Sequence, residues 1–334
     1  MDKIIFLTEM NFNGKISRTH DNMRVEFAWM TALDAEHGHL GDYQDIKDYD
    51  MVIIIWPKGK TYLNSEGIKM SSDQPNLLEK YLSVDVVGEL KKNNKFVCYM
   101  QEGPTWFFND YTIPEQFTYY NQIASSDIIF CHNEHDSKWY KGLYPEKPVF
   151  VLQSLMIEDS IKNIEWKPEN KVIIGGNFAR WYGGFQSYLV SEEFEADKWI
   201  PSMHNKRDYE DQIENLNHLP YVNWLGWINT LSTFRYGIHM MPTIAAGTFS
   251  LNCAYLGIPC IGNEKVDTQR LCFPDLSVDV EDVESARKIA NLLKNDKDFY
   301  NQCSEKAKNN YKQYFSEEIF KEKFNEVYKF CNSK

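Results

Sequence analysis

What this 334-residue chain lacks already removes several classes of function. No apolar run reaches the length needed to cross a bilayer, so a membrane-spanning helix is not expected. Positive charge is not in excess: 36 Lys and Arg stand against 48 Asp and Glu, a formal net charge of -12. That excludes a generic polyanion binder and leaves any nucleic-acid contact to a local basic patch. The seven cysteines, at 98, 131, 253, 260, 272, 303 and 331, form no Cys-x-x-Cys pair. Several sit in apolar segments, which reads as reduced structural thiols in a cytosolic protein. The opening MDKIIFLTEM is a charged residue followed by a short β-like run, too short and wrongly flanked for a secretory signal. Repeats and low-complexity runs are missing as well.

What is present is a hydrophobic fraction of 43%, enough for full cores. At roughly 100–200 residues per domain, the length favours two domains. Short β-branched runs at 3–7, 51–55, 95–100, 126–131 and 149–152 alternate with helical stretches at 22–35 (capped by Asp21) and 77–92. Residues 158–170 read as a linker. Strands are then expected at 172–174, 221–225, 238–241, 260–261 and 276–280, and 192–211 as mostly irregular. Helices are expected at 185–190, 230–236, 249–256, 283–293, 299–314 and 319–330. This alternation predicts an α/β chain with two Rossmann-like, doubly wound domains facing across a cleft. Their bounds are 1–165 and 170–315, with a C-terminal helix in 316–334 packing back on the N-terminal domain.

The stretch KVIIGGNFARWYGG, residues 171–184, is a buried strand that ends in Gly175 and Gly176. A residue without a Cβ lets backbone approach a ligand or take positive φ. Arg180 adds a planar cation matched to a diphosphate, or is a surface arginine beside a tight turn. Further on, AAGTFSLNCAYLGIPCIG (245–262) opens a small helix near Thr248, Phe249 and Ser250. Free N–H groups at such a start suit phosphate, and an ordinary helix–strand connection would have the same residues.

In the first half, Glu102 follows a strand directly, where a general base or a loop cap would both be at home. Lys58 and Lys60 follow the second strand and either line the ligand crevice or are solvated. The aromatic run 105–120, with Trp106, suits stacking on a base or sugar and suits packing equally. His132, His135 and Asp136 lack a further ligand pair, so a polar loop is expected there and no metal site.

The order of these pieces resembles the GT-B glycosyltransferases. The resemblance rests on the strand–Gly-Gly segment and on AGTFSLNCAYLGIPCIG, whose small helix ends in Gly-x-Pro before a strand. It implies a C-terminal domain that binds a nucleotide sugar and an N-terminal domain that binds the acceptor. Many members carry a ribose-holding glutamate on that helix, and Asn252 stands at the matching place. A narrower likeness is to the T-even phage DNA β-glucosyltransferase family. Gly176-Asn177-Phe178-Arg180 follows its pattern with Ala179 inserted, Gln101-Glu102 follows a strand as its acceptor base does, and an Asp-Tyr-Asp step precedes the strand at 51–55.

The resemblance implies an inverting, metal-independent hexosyltransferase with Glu102 as base. Gly175, Gly176, Asn177, Arg180, Thr248, Phe249, Ser250 and Asn252 would hold the donor, and Lys58, Lys60 and Trp106 the acceptor. The expected co-substrate is a UDP-sugar, with no other cofactor. The expected acceptor is a hydroxymethylated base in phage-type DNA, in a host cytoplasm. A surface-glycan, lipid-linked or protein acceptor, a sugar-nucleotide epimerase, and a non-catalytic nucleotide-sugar binder are the alternatives.

Overall fold

A computed structural model describes residues 3–10, 14–56, 61–63, 69–71, 85–100, 103–201 and 207–332. It divides into two compact units, and the division differs from the expected bounds. One unit takes Met1–Arg18, Glu26–Gln153 and Lys321–Lys334; the other takes Thr19–Val25 and Ser154–Phe320. Residues 154–165 thus belong to the second unit, as does a short early segment. The reason for the latter is local: the Asp21 carbonyl accepts from Trp224 N at 2.7 Å, and Asn223 Nδ2 donates to Asp21 Oδ1 at 3.0 Å. Asp21 is therefore not the cap of the following helix, which starts at Val25 and ends at Ala32.

The strands of the first unit are β1 (Ile4–Thr8), β2 (Gly14–Lys15), β3 (Glu36–His39), β4 (Met51–Ile54), β5 (Thr61–Leu63), β6 (Lys69–Ser71), β7 (Phe96–Met100), β8 (Ile128–Cys131) and β9 (Val149–Val151). Seven of them form one sheet in the order β2-β3-β1-β4-β7-β8-β9, parallel except for β2 against β3; β5 and β6 pair separately. All residues of β1, β4 and β8 are buried, as expected of parallel strands covered on both faces. Polar β3 was not legible as a strand. Its His37 is buried against β1 through a 2.8 Å hydrogen bond with Thr8 Oγ1. Its Gly38 leaves room for Ile5 and Leu7, whose side-chain carbons would stand 3.0 and 3.1 Å from a Cβ. The helix Glu317–Asn332 lays Phe324 on Phe130 (ring centroids 6.0 Å) and Phe330 on Phe150 (5.3 Å).

The second unit contains β10 (Lys171–Ile174), β11 (Asp197–Ile200), β12 (Leu216–His218), β13 (Tyr236–His239), β14 (Cys260–Asn263) and β15 (Ser277–Val278). All pairs are parallel, in the order β12-β11-β10-β13-β14-β15. Counted along the chain this is 3-2-1-4-5-6, the Rossmann order, which reverses between β10 and β13. Several expectations change here. The helix expected at 230–236 ends at Leu231, and β13 begins at Tyr236. Residues 192–211 contain β11, hidden by its charged and half-exposed residues. The strand expected at 221–225 is β12, which lies earlier; 224 begins a helix, Trp224–Leu231, whose first turn is capped by Asn223 Oδ1 accepting from Gly226 N at 2.9 Å. Among the described residues no helix is long and apolar enough to cross a membrane.

Candidate functional site

In an open α/β sheet the ligand crevice lies outside the carboxyl ends of the strands where the order reverses. At β10 that end is Gly175, whose N–H donates to Ile238 O of β13 at 2.8 Å. A Cβ here would lie 2.7 Å from the His239 ring and 2.7 Å from Phe249 Cδ1, so only glycine lets these rings close on the backbone. A Cβ on Gly176 would meet Tyr182 Cβ at 2.6 Å. Buried Asn177 turns its Oδ1 to the N–H of Ala179 (3.0 Å) and shapes the loop. Arg180 follows, exposed and without an ion pair to a described residue.

The second wall is the helix Thr248–Leu256. Gly247 precedes it at φ 68, and no described side chain caps it. The first intrahelical bond is Leu251 N to Gly247 O (3.1 Å), which leaves the amides of Thr248, Phe249 and Ser250 as donors. The Ser250 hydroxyl, in contrast, points into the fold. It meets Thr268 Oγ1 at 2.7 Å and donates to Gly247 O at 3.1 Å, and Thr268 Oγ1 donates to the same carbonyl at 2.8 Å. What Ser250 offers a ligand is its backbone N–H.

Between these walls is a cavity of about 260 Å³, lined by Gly175, Thr248, Phe249 and Asn252 together with Pro201, Leu219, Pro220, Tyr221, Val222 and Trp227. Four of the expected donor residues are thus brought together, while Gly176, Asn177 and Arg180 belong to the loop leaving β10. Among the described residues the lining holds no ionisable carboxylate, amine or guanidinium. With the Asn252 amide turned the way its neighbours require, its oxygen accepts from Trp227 Nε1 at 2.9 Å and its nitrogen donates to Thr248 O at 3.1 Å. Trp227 and the segment 219–222 were missed from sequence. The available signal was the Asn223-x-x-Gly226 cap, which marks a helix where an apolar run suggests a strand.

His239 ends β13 with its ring packed on Phe249 (centroids 5.0 Å). Burial pushes its pKa down to about 4, so the imidazole is neutral near pH 7, and its Nε2 has no hydrogen-bond partner among the described residues.

In the first unit, Glu102, Lys58 and Lys60 lie outside the described residues. Trp106 is half-buried and stands edge-on to Phe107, with ring centroids at 4.6 Å. Part of the aromatic run packs inward, with Phe108 meeting Tyr119 at 5.2 Å and Trp139 of the next helix at 5.0 Å and Tyr111 stacking on Tyr119 at 4.8 Å, while Phe117 and Tyr120 are exposed. The polar loop expected at 132–139 is a helix, Glu134–Leu143, capped by Asn133. Its Asp136 is engaged by Asn133 through both backbone and side chain, and His132 stands edge-on to Trp29. Among the described residues no group of three or more His, Cys, Asp or Glu could hold a metal ion.

No protein-family model and no curated protein sequence matches the chain. Solved structures do match, over nearly its whole length. An α-glucosyltransferase in complex with UDP and a 13-mer DNA containing an HMU base has a TM-score of 0.60 at 14% identity, covering 98% of each chain. HepE (Alr3699) of Anabaena in complex with UDP-glucose has 0.67 at 10% identity, over 98% of this chain and 100% of that one. Sucrose-phosphate synthase of Thermosynechococcus elongatus has 0.65 at 9% identity, over 100% of both. The likeness is one of fold: the chain has two Rossmann-type units, as in the GT-B fold.

Proposed function

We propose that the protein is a glycosyltransferase that takes its sugar from a UDP-sugar bound at the β10–β13 reversal. The observation that carries this reading is the convergence, at one switch point, of a glycine strand end, a helix start that no described side chain caps and a cavity whose described lining is uncharged. The helix amides and Arg180 suit the diphosphate, where negative charge develops as the sugar leaves. The uncharged cavity suits the nucleoside. A bound metal is not needed on this reading, because the guanidinium and the helix start supply the positive potential. No cofactor beyond the nucleotide sugar is invoked, and a cytoplasmic site of action fits the cysteine usage.

The acceptor we propose is a hydroxymethylated base in DNA, deprotonated by Glu102 in one in-line displacement that inverts the anomeric carbon. The similarity to a structure solved with UDP and HMU-containing DNA supports the acceptor. That structure is described as an α-glucosyltransferase, which favours retention as a second reading of the stereochemistry.

The test is incubation with UDP- and GDP-sugars and three DNAs: unmodified, hydroxymethylcytosine and hydroxymethyluracil. Digested nucleosides are then weighed, and the anomeric proton coupling of the product is read by NMR. A gain of one sugar on a hydroxymethylated base alone, with Glu102→Gln lowering kcat, is the expected result. Release of UDP without DNA labelling moves the acceptor to a glycan, lipid or protein. Conversion of the donor alone is the outcome for an epimerase, and binding without turnover that for a sensor.

A further inference from the structure

Glu210 opens a short 3-10 turn, Glu210–Gln212, in the connection between β11 and β12, and its carboxylate is buried. An ionised carboxylate is kept out of water only where hydrogen bonds replace the hydration it loses. Here Oε2 accepts from Arg207 N at 3.2 Å and from Phe178 N at 3.4 Å, and Oε1 faces His218 Nε2 at 3.6 Å. Phe178 belongs to a different connection, the loop that leaves β10. Its carbonyl accepts from the Arg207 guanidinium at 3.4 Å, so one segment holds both ends of this residue. Ala179 N is held by Asn177 Oδ1 (3.0 Å), and Ala179 O accepts from Tyr182 N (2.9 Å). The backbone leading into Arg180 is therefore pinned on every side, while the Arg180 side chain stands in solvent.

Such an arrangement is more than a turn cap needs. A capping carboxylate serves its own turn; this one reaches across to the loop that carries an exposed cation. The connection's strain points the same way: Tyr209, next to Glu210, is held at φ 65, where a residue with a Cβ is rarely found.

We infer that Glu210 and Arg207 are positioning residues that fix the Arg180 loop for a diphosphate. This rests on the reading of the site as a nucleoside-diphosphate site. Preorganisation of the loop lowers the ordering cost of binding, so its loss is read in affinity for the diphosphate and not for the nucleoside.

The experiment is a double-mutant cycle on the full chain, with UDP affinity measured by calorimetry and uridine affinity by NMR titration. Arg207→Ala and Glu210→Ala are each expected to weaken UDP roughly three- to tenfold and to leave uridine unchanged. Glu210→Gln keeps an acceptor for both N–H groups and is expected to bind UDP as the wild type does. In an Arg180→Ala background, Arg207→Ala is expected to add nothing further. Effects of Arg180→Ala and Arg207→Ala that multiply would overturn the inference, and so would equal losses of UDP and uridine, which mark a structural role. If the wild type binds neither UDP nor uridine, the nucleotide reading itself falls, and this inference with it.

Discussion

With the Asn252 amide oriented by its neighbours, the indole Nε1 of Trp227 donates to its oxygen across 2.9 Å inside the cavity. An indole N–H only donates and a carbonyl only accepts, so Trp227 and the Thr248 carbonyl between them set which way the amide faces. One amide N–H of Asn252 is left over. Trp227→Phe keeps the ring and removes the lock. A hydrogen bond of this kind contributes about 0.5–1.5 kcal/mol net to stability, so the variant should melt slightly lower, and with Asn252 no longer held UDP affinity should fall a few-fold. Calorimetry decides it; an unaltered Kd would detach Asn252 from the ligand.

Gly247→Ala tests the helix start. The residue sits at φ 68, and a Cβ would lie 1.9 Å from Thr268 Oγ1 and 2.8 Å from Val266 Cγ1. Both the left-handed backbone and the Ser250–Thr268 contacts would be strained. The loss should exceed about 1 kcal/mol. Thermal unfolding should shift down by several degrees, with donor affinity lowered as well. A variant as stable as the wild type would show that this segment relaxes freely.

His239 predicts an acid-side slope in stability. Its folded pKa, about 4, lies below the ordinary 6.5 because the charged form cannot be solvated where it is buried. The unfolded chain therefore binds more protons between these values, and stability rises with pH across that window. The contribution is fully present above pH 6.5 and is lost progressively as the pH falls towards 4. The full span is on the order of 3 kcal/mol. Urea titrations of wild type and His239→Phe at pH 7.5 and 5 measure it. The variant should lose less stability on acidification, and parallel losses would count against the buried neutral imidazole.

Phe324→Ala tests how the C-terminal helix holds to the first unit. The ring is fully buried against Phe130, in the same cluster as Trp29, which stands edge-on to Phe130 at 5.9 Å. Large-to-small changes of this kind cost about 3–5 kcal/mol. Denaturant unfolding followed by tryptophan fluorescence should show the loss. A change below about 1 kcal/mol would mean that the helix contributes little to this core.

Much of the fold was legible because parallel strands are buried on both faces and so are written as continuous apolar runs. IIFLT, MVII, FVCYM, IIFC and KVII all became strands within a residue or two of the expected bounds. The ones missed break that rule for stated reasons. EHGH is polar yet lies beside β1, with His37 satisfied by Thr8 and Gly38 making room for Ile5 and Leu7. DKWI opens with two charged residues because its first three positions are exposed or half-exposed. YVNWL reads as a strand by composition, but the Asn223 cap makes its second half a helix.

From the sequence alone came the doubly wound class, the glycine pair that ends β10, Arg180 beyond it, and the small helix after Gly247. These are local properties: side-chain periodicity sets the element, and a missing Cβ marks where backbone must come close. Tertiary structure alone decided the strand order 3-2-1-4-5-6, which places β10 beside β13 and so locates the switch point. It also turned the Ser250 hydroxyl inward, paired Trp227 with Asn252, and brought Glu210 to the N–H of Phe178. Each of these is a meeting of groups far apart in the chain. A polar group's partner is chosen by which elements pack side by side, and local sequence carries no record of that choice.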